Sequence, residues 1–167
     1  MKSYIFLTLL FLLTQLTFGQ NIPEILKKYE KGIIVTHSKD TIYAELYNGS
    51  KPNRMKYVWN YETSVKTKNK ELEIVEFGGY NYINNEWDSN TIFGRPFNKS
   101  EFSKWYSCEN GILKLGETYS DKNNWTTSDY IYSDTKTGLW YFIGKDSNGQ
   151  KYIGYKKFVL VGRLRDK

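Results

Sequence analysis

Residues 32–47, Gly-Ile-Ile-Val-Thr-His-Ser-Lys-Asp-Thr-Ile-Tyr-Ala-Glu-Leu-Tyr, constrain the fold more than any other stretch of the chain. Val, Ile, Thr and Tyr suit a pleated, half-buried surface. Ile33 and Val35 fall on one face of a first strand. Ile42, Ala44 and Leu46 fall on one face of a second, with Tyr43, Glu45 and Tyr47 opposite. Period-two alternation of this kind predicts strands with one face in a core and one face wetter. The polar break at Ser38-Lys39 predicts a turn, so the stretch reads as a β-hairpin, with Asp40 accepting hydrogen bonds from the turn N–H groups. Lys39 fits such a bend poorly, because two-residue hairpin turns favour residues that adopt positive φ.

The same alternation returns along the chain. Residues 55–61 read as a strand with Met55, Tyr57, Trp59 and Tyr61 on one face, followed by a polar loop over 62–70. Residues 71–77 alternate again, Gly78-Gly79 is expected to break the chain, and Tyr80 and Tyr82 resume a strand. Residues 85–98 read as a long connection. Strands are expected over 112–119, 130–132, 139–144 and 152–164, with a polar loop over 120–129. Asn148-Gly149 is the strongest hairpin signal present, and Tyr141-Phe142-Ile143-Gly144 echoes Tyr152-Ile153-Gly154-Tyr155 across it, as the facing partners of one hairpin would. Two short helices complete the pattern. One spans 21–31, with Asn21 and Glu24 as a capping box, an apolar stripe of Ile22, Ile25, Leu26 and Tyr29, and Gly32 as its stop. The other spans 99–109, capped by Asn98 with Glu101 or by Ser100 alone and stopped by Asn110-Gly111; a strand over 101–108 would also accept its aromatics. The expected class is therefore all-β: a single antiparallel sandwich or closed barrel of about nine strands with two short helices.

Residues 1–19 stand apart. Met1-Lys2 is a short positive start, residues 4–18 are an apolar run, and Thr17 and Gly19 are small residues before a cut at Gln20. This is the layout of a cleaved secretory signal peptide, which leaves one β-rich domain over 20–167. The apolar run is too short for the roughly 20 residues that span a bilayer, so membrane contact is expected only through the transient leader. The remaining chain is basic, with a whole-sequence formal charge of +6, but its cations are scattered. An exported basic domain is expected to meet acidic proteins or anionic envelope polymers, and nucleic acid is not an expected partner. Cys108 is the only cysteine, so the domain must be held by its core. That fits a bacterial envelope location, periplasmic or extracellular. The pattern Gly32-x-Ile34-x-Thr36 followed by Asp40-Thr41-Ile42 also resembles the opening hairpin of a group of exported, mostly β bacterial proteins with no assigned activity. In that group the turn is usually Asn-Gly, where this chain has Ser38-Lys39. The resemblance implies export and β structure and carries over no catalytic residue.

Reactive groups are sparse. His37 is the only histidine, and a nucleophile–base pair with Cys108 is weighed against the simpler reading of a turn histidine and a small buried thiol. Glu71, Glu73 and Glu76 read as solvent-facing strand residues rather than paired catalytic carboxylates. No zinc spacing, phosphate-cradling glycine loop or nucleophile elbow occurs, so neither a cofactor nor a metal is implied, and enzymatic activity is not expected. The unusual feature is the aromatic content, with 5 Trp and 15 Tyr. Trp87 and Trp125 sit in Asn-rich polar contexts read as loops. With Tyr80 and Tyr82 they are the candidate contacts for a partner or glycan. The expected function is a non-catalytic envelope module whose β scaffold engages another protein. The alternative is a binder of a small apolar ligand or glycan, through a barrel interior or the Trp-bearing segments.

Overall fold

The computed structural model describes residues 22–49, 55–131 and 133–164; the expected leader lies outside them. Eleven strands form one mostly β body whose sheet curls into a half-barrel, so neither a closed barrel nor a two-sheet sandwich is formed. The strands are β1 (Glu30–Lys31), β2 (Ile33–His37), β3 (Thr41–Leu46), β4 (Tyr57–Thr67), β5 (Leu72–Ile83) and β6 (Glu86–Asn90). They continue with β7 (Phe97–Asn98), β8 (Ile112–Leu113), β9 (Tyr119–Ser128), β10 (Thr135–Lys145) and β11 (Lys151–Leu164). A single α-helix, α1 (Lys99–Trp105), and 3₁₀ turns at Glu24–Leu26 and Glu109–Gly111 account for the helical content among the described residues.

The β10–β11 hairpin is the spine. Its turn has Gly149 at φ 81° and the Asp146 carboxylate accepting from Asn148 N and Gln150 N, both at 3.0 Å. The echoed tetrapeptides do face one another: Tyr141 opposes Tyr155, Phe142 opposes Gly154, Ile143 opposes Ile153 and Gly144 opposes Tyr152. On its far side β10 pairs with β5, which runs unbroken through Gly78-Gly79. The expected break is absent because both glycines stay in the ladder, and Gly78 leaves room for a ring. A Cβ on Gly78 would meet the Tyr141 ring at 3.1 Å, and Gly79 lies opposite Trp140.

The 32–47 stretch is not a hairpin. β2 and β3 both run antiparallel to β4 along the same edge, one after the other. His37 faces Thr63 and Glu45 faces Val58, so eight residues on one strand answer five on the other. The extra three are the excursion at Ser38, Lys39 and Asp40. No residue there takes positive φ, which a tight reversal would have required. Instead Ser38 N donates to Glu62 O, Glu62 N donates to Ser38 Oγ, and Asp40 pairs with Lys156 at 2.9 Å rather than with turn amides. Between its two contacts with β4 the chain swings to β11, where residues 41–43 of β3 pair in parallel with 159–161. Upstream, β1 also pairs in parallel with β11, and the chain then crosses it into β2 at Gly154, where any Cβ would lie 2.5 Å from Ile33 O. Residues 30–46 thereby stitch the β4 half of the sheet to the β5–β10–β11 half.

Other expectations are also corrected. Residues 24–26 form one 3₁₀ turn after Pro23, without a side-chain cap, and Glu30–Lys31 is already a strand. Asn21 lies outside the described residues, so its capping role does too. β4 continues through the segment read as loop, because Thr63, Val65 and Thr67 alternate inward. Of the strand expected over 112–119 only Ile112–Leu113 forms, and the strand lies instead at Tyr119–Ser128, in the expected loop. Tyr130 and Ile131 are not in a strand, and Tyr132 lies outside the described residues. The capping box of the second helix is present, with Asn98 Oδ1 accepting from Ser100 N and Glu101 N and Glu101 Oε2 accepting from Asn98 N. That helix stops earlier than expected, at Trp105, with Ser107 taking φ 51°.

The inner face of the curl holds most of the core. Phe77 and Phe142 stack with ring centres 5.5 Å apart, α1 lays Phe102 and Tyr106 against them, and Ile33, Val35 and Val65 close over from the other half. Ile42, Ala44, Trp59, Tyr61, Phe158 and Leu160 continue that interior. β10 is buried on both sides, since Leu139, Tyr141 and Ile143 point outward beneath Leu26 of the N-terminal turn.

Candidate functional site

A curl that does not close leaves two sheet edges facing across the interior. One is β9, hydrogen-bonded to β4 alone; the other is the β6–β7 side of β5. Between them lies an aromatic cleft. It has two adjoining hollows of about 230 and 170 Å³ that share Ile92, Phe97, Trp125 and Trp140. Singly each falls short of the range for small-molecule sites, roughly 300 Å³ upward, and together they fall near its lower end.

Each wall has a local cause. The capping box fixes the start of α1 and so places Trp105, whose ring meets Phe97 edge-on at 4.7 Å. Trp140 on β10 stacks over Phe97 at 6.1 Å and donates its indole N–H to the Tyr61 hydroxyl at 2.7 Å, which holds its plane. Ile92, 66 % exposed, stands at the rim beside Phe93. The β9 edge contributes Asp121, Asn123, Asn124 and Trp125. A register shift between Tyr61 and Thr63 of β4 sets these residues, so that Asn124 opposes Tyr61 and Asp121 opposes Thr63.

The polar groups beneath are ordered. The Thr63 hydroxyl lies 3.0 Å from His37 Nδ1 and accepts from Asn124 Nδ2 at 2.9 Å, and His37 Nε2 lies 3.3 Å from Lys156 O. His37 is wedged edge-on between Tyr61 and Phe158. Burial pulls its pKa down to about 4, against the Lys156 carbonyl, which favours the charged form. It is therefore a neutral ring at physiological pH. Burial also raises the Tyr61 and Tyr106 hydroxyls well above the ordinary tyrosine range. Asp121 moves the same way: desolvation raises its carboxyl, the Asn123 N–H bond at 3.0 Å opposes this, and nearby Glu62 adds to it.

Cys108 is fully buried and donates to Ile112 O at 3.2 Å, and burial pushes its thiol up to about 11. The histidine and the thiol thus each have other partners. A larger hollow of about 590 Å³ opens near the β10–β11 turn, but it is a charged trough whose groups pair with one another. Lys70 meets Asp146 at 3.2 Å, and Glu73 takes both Lys99 and Lys145.

The four residues singled out from sequence divide between two places. Trp125 lines both hollows of the cleft, and Tyr80 also borders the smaller one. Tyr80, Tyr82 and Trp87 lie together on the outer face, where Tyr82 meets Trp87 at 5.1 Å, Tyr80 meets Tyr141 at 5.6 Å and Lys157 Nζ sits 5.7 Å from the Trp87 ring centre. Neither tryptophan is on a loop. Trp87 is in β6, paired with Tyr82 across an Asn84-Asn85 turn with φ of 51° and 66°, and Trp125 is in β9 opposite Asn60. Both are half-buried. Trp105, Trp140, Phe97 and Asp121 were missed. Trp105 and Trp140 read as ordinary core, Phe97 lies in the segment read as a connection, and a lone Asp in a polar stretch gives no signal of what it will face.

No protein-family model matches this chain, and no curated protein matches it. Among solved structures it is similar to an ApaA-like protein of Bordetella pertussis, at 13 % identity over 82 % of this chain and 99 % of that one, with a TM-score of 0.44. It is also similar to Spo0M, a sporulation control protein of Bacillus subtilis, at 12 % identity over 78 % of this chain, with a TM-score of 0.37; the chain spans 49 % of that protein.

Proposed function

We propose that this protein is a non-catalytic, exported binding module of the bacterial envelope, and that it takes a small ligand, a glycan or a compact apolar molecule, in the cleft between its two sheet edges. The observation that carries this reading is the cleft itself, where Trp105, Trp140 and Phe97 offer ring surface and the β9 edge offers carboxylate and amide groups. Aromatic walls with a few placed polar groups suit sugar faces and small amphiphiles. The absence of a catalytic role rests on the engagement of the reactive groups, with His37 a neutral ring in a buried network and Cys108 a buried donor. Export rests on the N-terminal residue pattern.

The test is a tryptophan-fluorescence titration of the purified protein against a panel of saccharides and small apolar compounds. A saturable change that disappears in Trp105→Leu supports the reading. A panel with no saturable response, or one unaltered by that substitution, overturns it. A second reading, docking of another envelope protein, draws on the outer tract of Trp87, Tyr82 and Tyr80 beside Lys157. Capture from envelope extract with wild type and with Trp87→Ala separates the two, because only a docking face loses partners when Trp87 is removed.

A further inference from the structure

Asp121 is the carboxylate that lines the aromatic cleft, in a chain that carries 24 Lys and Arg against 18 Asp and Glu. Five carboxylates among the described residues hold a cation: Glu24 takes Lys27, Glu73 takes two lysines, Asp146 takes Lys70, Asp40 takes Lys156 and Glu101 takes the Arg95 fork. Asp121 has no cation within ion-pair distance among the described residues, and its one hydrogen bond comes from the Asn123 backbone N–H. Yet it is half-buried, at the wall of a cleft lined by three tryptophans and Phe97. A desolvated carboxylate without a counter-charge costs stability, and such a cost persists most readily where a ligand relieves it.

We propose that the ligand of this cleft carries an organic ammonium group, with Asp121 as its counter-charge and the rings of Trp105, Trp140 and Phe97 as its apolar enclosure. The inference rests on the ligand-binding reading above and narrows it to a chemical class. Two features converge on the same charge. A carboxylate attracts a cation directly, and the negative faces of aromatic rings attract it again, most strongly where water is excluded. An anionic ligand would meet the Asp121 carboxylate in this lining, with Glu62 near enough to add to its charge. A neutral ligand would leave the carboxylate uncompensated.

An ammonium group could be borne by an amino sugar or by a compact alkylammonium, so the test uses both. The purified protein is titrated with glucosamine and with choline, each beside an uncharged partner, glucose and the neutral carbon isostere of choline. The expected result is that at least one ammonium probe binds about tenfold more tightly than its neutral partner. Asp121→Asn, which keeps the acceptor for the Asn123 N–H, should shrink that ratio to about threefold or less, while Asp121→Glu preserves most of it. The inference is overturned if neutral and charged partners bind alike in the wild type, or if Asp121→Asn leaves the ratio unchanged. Neutral probes that bind and are lost in Trp105→Leu would leave the ligand-binding reading standing and remove only the charge. No response to any of the four probes would sink the ammonium class alone, the wider panel deciding the rest.

Discussion

The two tryptophans that sequence treated alike, Trp87 and Trp125, lie on opposite edge strands and do different work. Trp87 lies on the outside of the curl, in a tract where Tyr82, Tyr80 and Lys157 cover one another. Trp125 lines a concavity that also holds a carboxylate and two other tryptophans. Both come from Asn-rich segments, and both belong to strands paired on one side. The difference is the curvature of the sheet. On the outer face neighbouring side chains splay and rings lie flat, whereas on the inner face opposed strands bring distant residues together and exclude water. Local composition thus marks an edge strand, and curvature decides whether that edge presents a surface or a site.

The comparison can be broken most directly at its two extremes. Trp140→Ala should cost about 3 kcal/mol or more of stability in urea denaturation, because the ring packs against both inner clusters and holds the Tyr61 bond. Trp87→Ala should cost about 1 kcal/mol or less, as expected for a half-exposed edge residue. Equal costs would mean that the inner and outer tracts are not distinct.

The next effect is pH-dependent. The folded pKa of His37 lies below its unfolded value, so the unfolded chain binds the proton first. Stability is full above the unfolded value near 6.5 and should fall by on the order of 2 kcal/mol as pH drops toward 4. Denaturation midpoints of His37→Gln measured across that window should be flatter than those of the wild type. Asp121 has the opposite sign. Its folded pKa is raised, so the native state holds the proton more tightly and stability declines as pH rises through that value. Asp121→Asn should therefore be slightly more stable than the wild type at neutral pH and lose stability more steeply in acid. A variant less stable than wild type at pH 7 would show that the carboxylate is structurally paired. The smallest effect belongs to the outer face, where Lys157→Ala should change stability by no more than about 0.5 kcal/mol and leave ligand titrations of the cleft unaltered.

Legibility followed the strength of local chemistry. The β10–β11 hairpin was readable because Asn148-Gly149 accepts the positive φ its bend needs and the flanking tetrapeptides match in pairing. The helix start at Asn98 was readable because a capping box is a contact between residues three apart. β6 and β9 were hidden, since edge strands tolerate Asn, Asp, Ser and Thr on their wetter sides and so resemble loops. The second half of β4 was hidden because Thr63 and Thr67 were counted as polar although both are buried. Within the cleft, Trp125 was picked out for its context, but Asp121 acquired meaning only from its neighbours.

From its residues alone this chain is determined to be mostly β, with alternating faces, a tight bend at Asn148-Gly149 and a capped helix near Asn98, because each of these depends on contacts a few residues apart. Tertiary structure alone decided that residues 33–46 traverse the sheet instead of folding back on themselves, and that Asp121 lines one hollow with three tryptophans. A period of two says which way a side chain points, but is silent about which strand lies beside it. That choice is made by pairings dozens of residues apart, and by the close approach of the Ile33 backbone to Gly154, where the chain crosses β11.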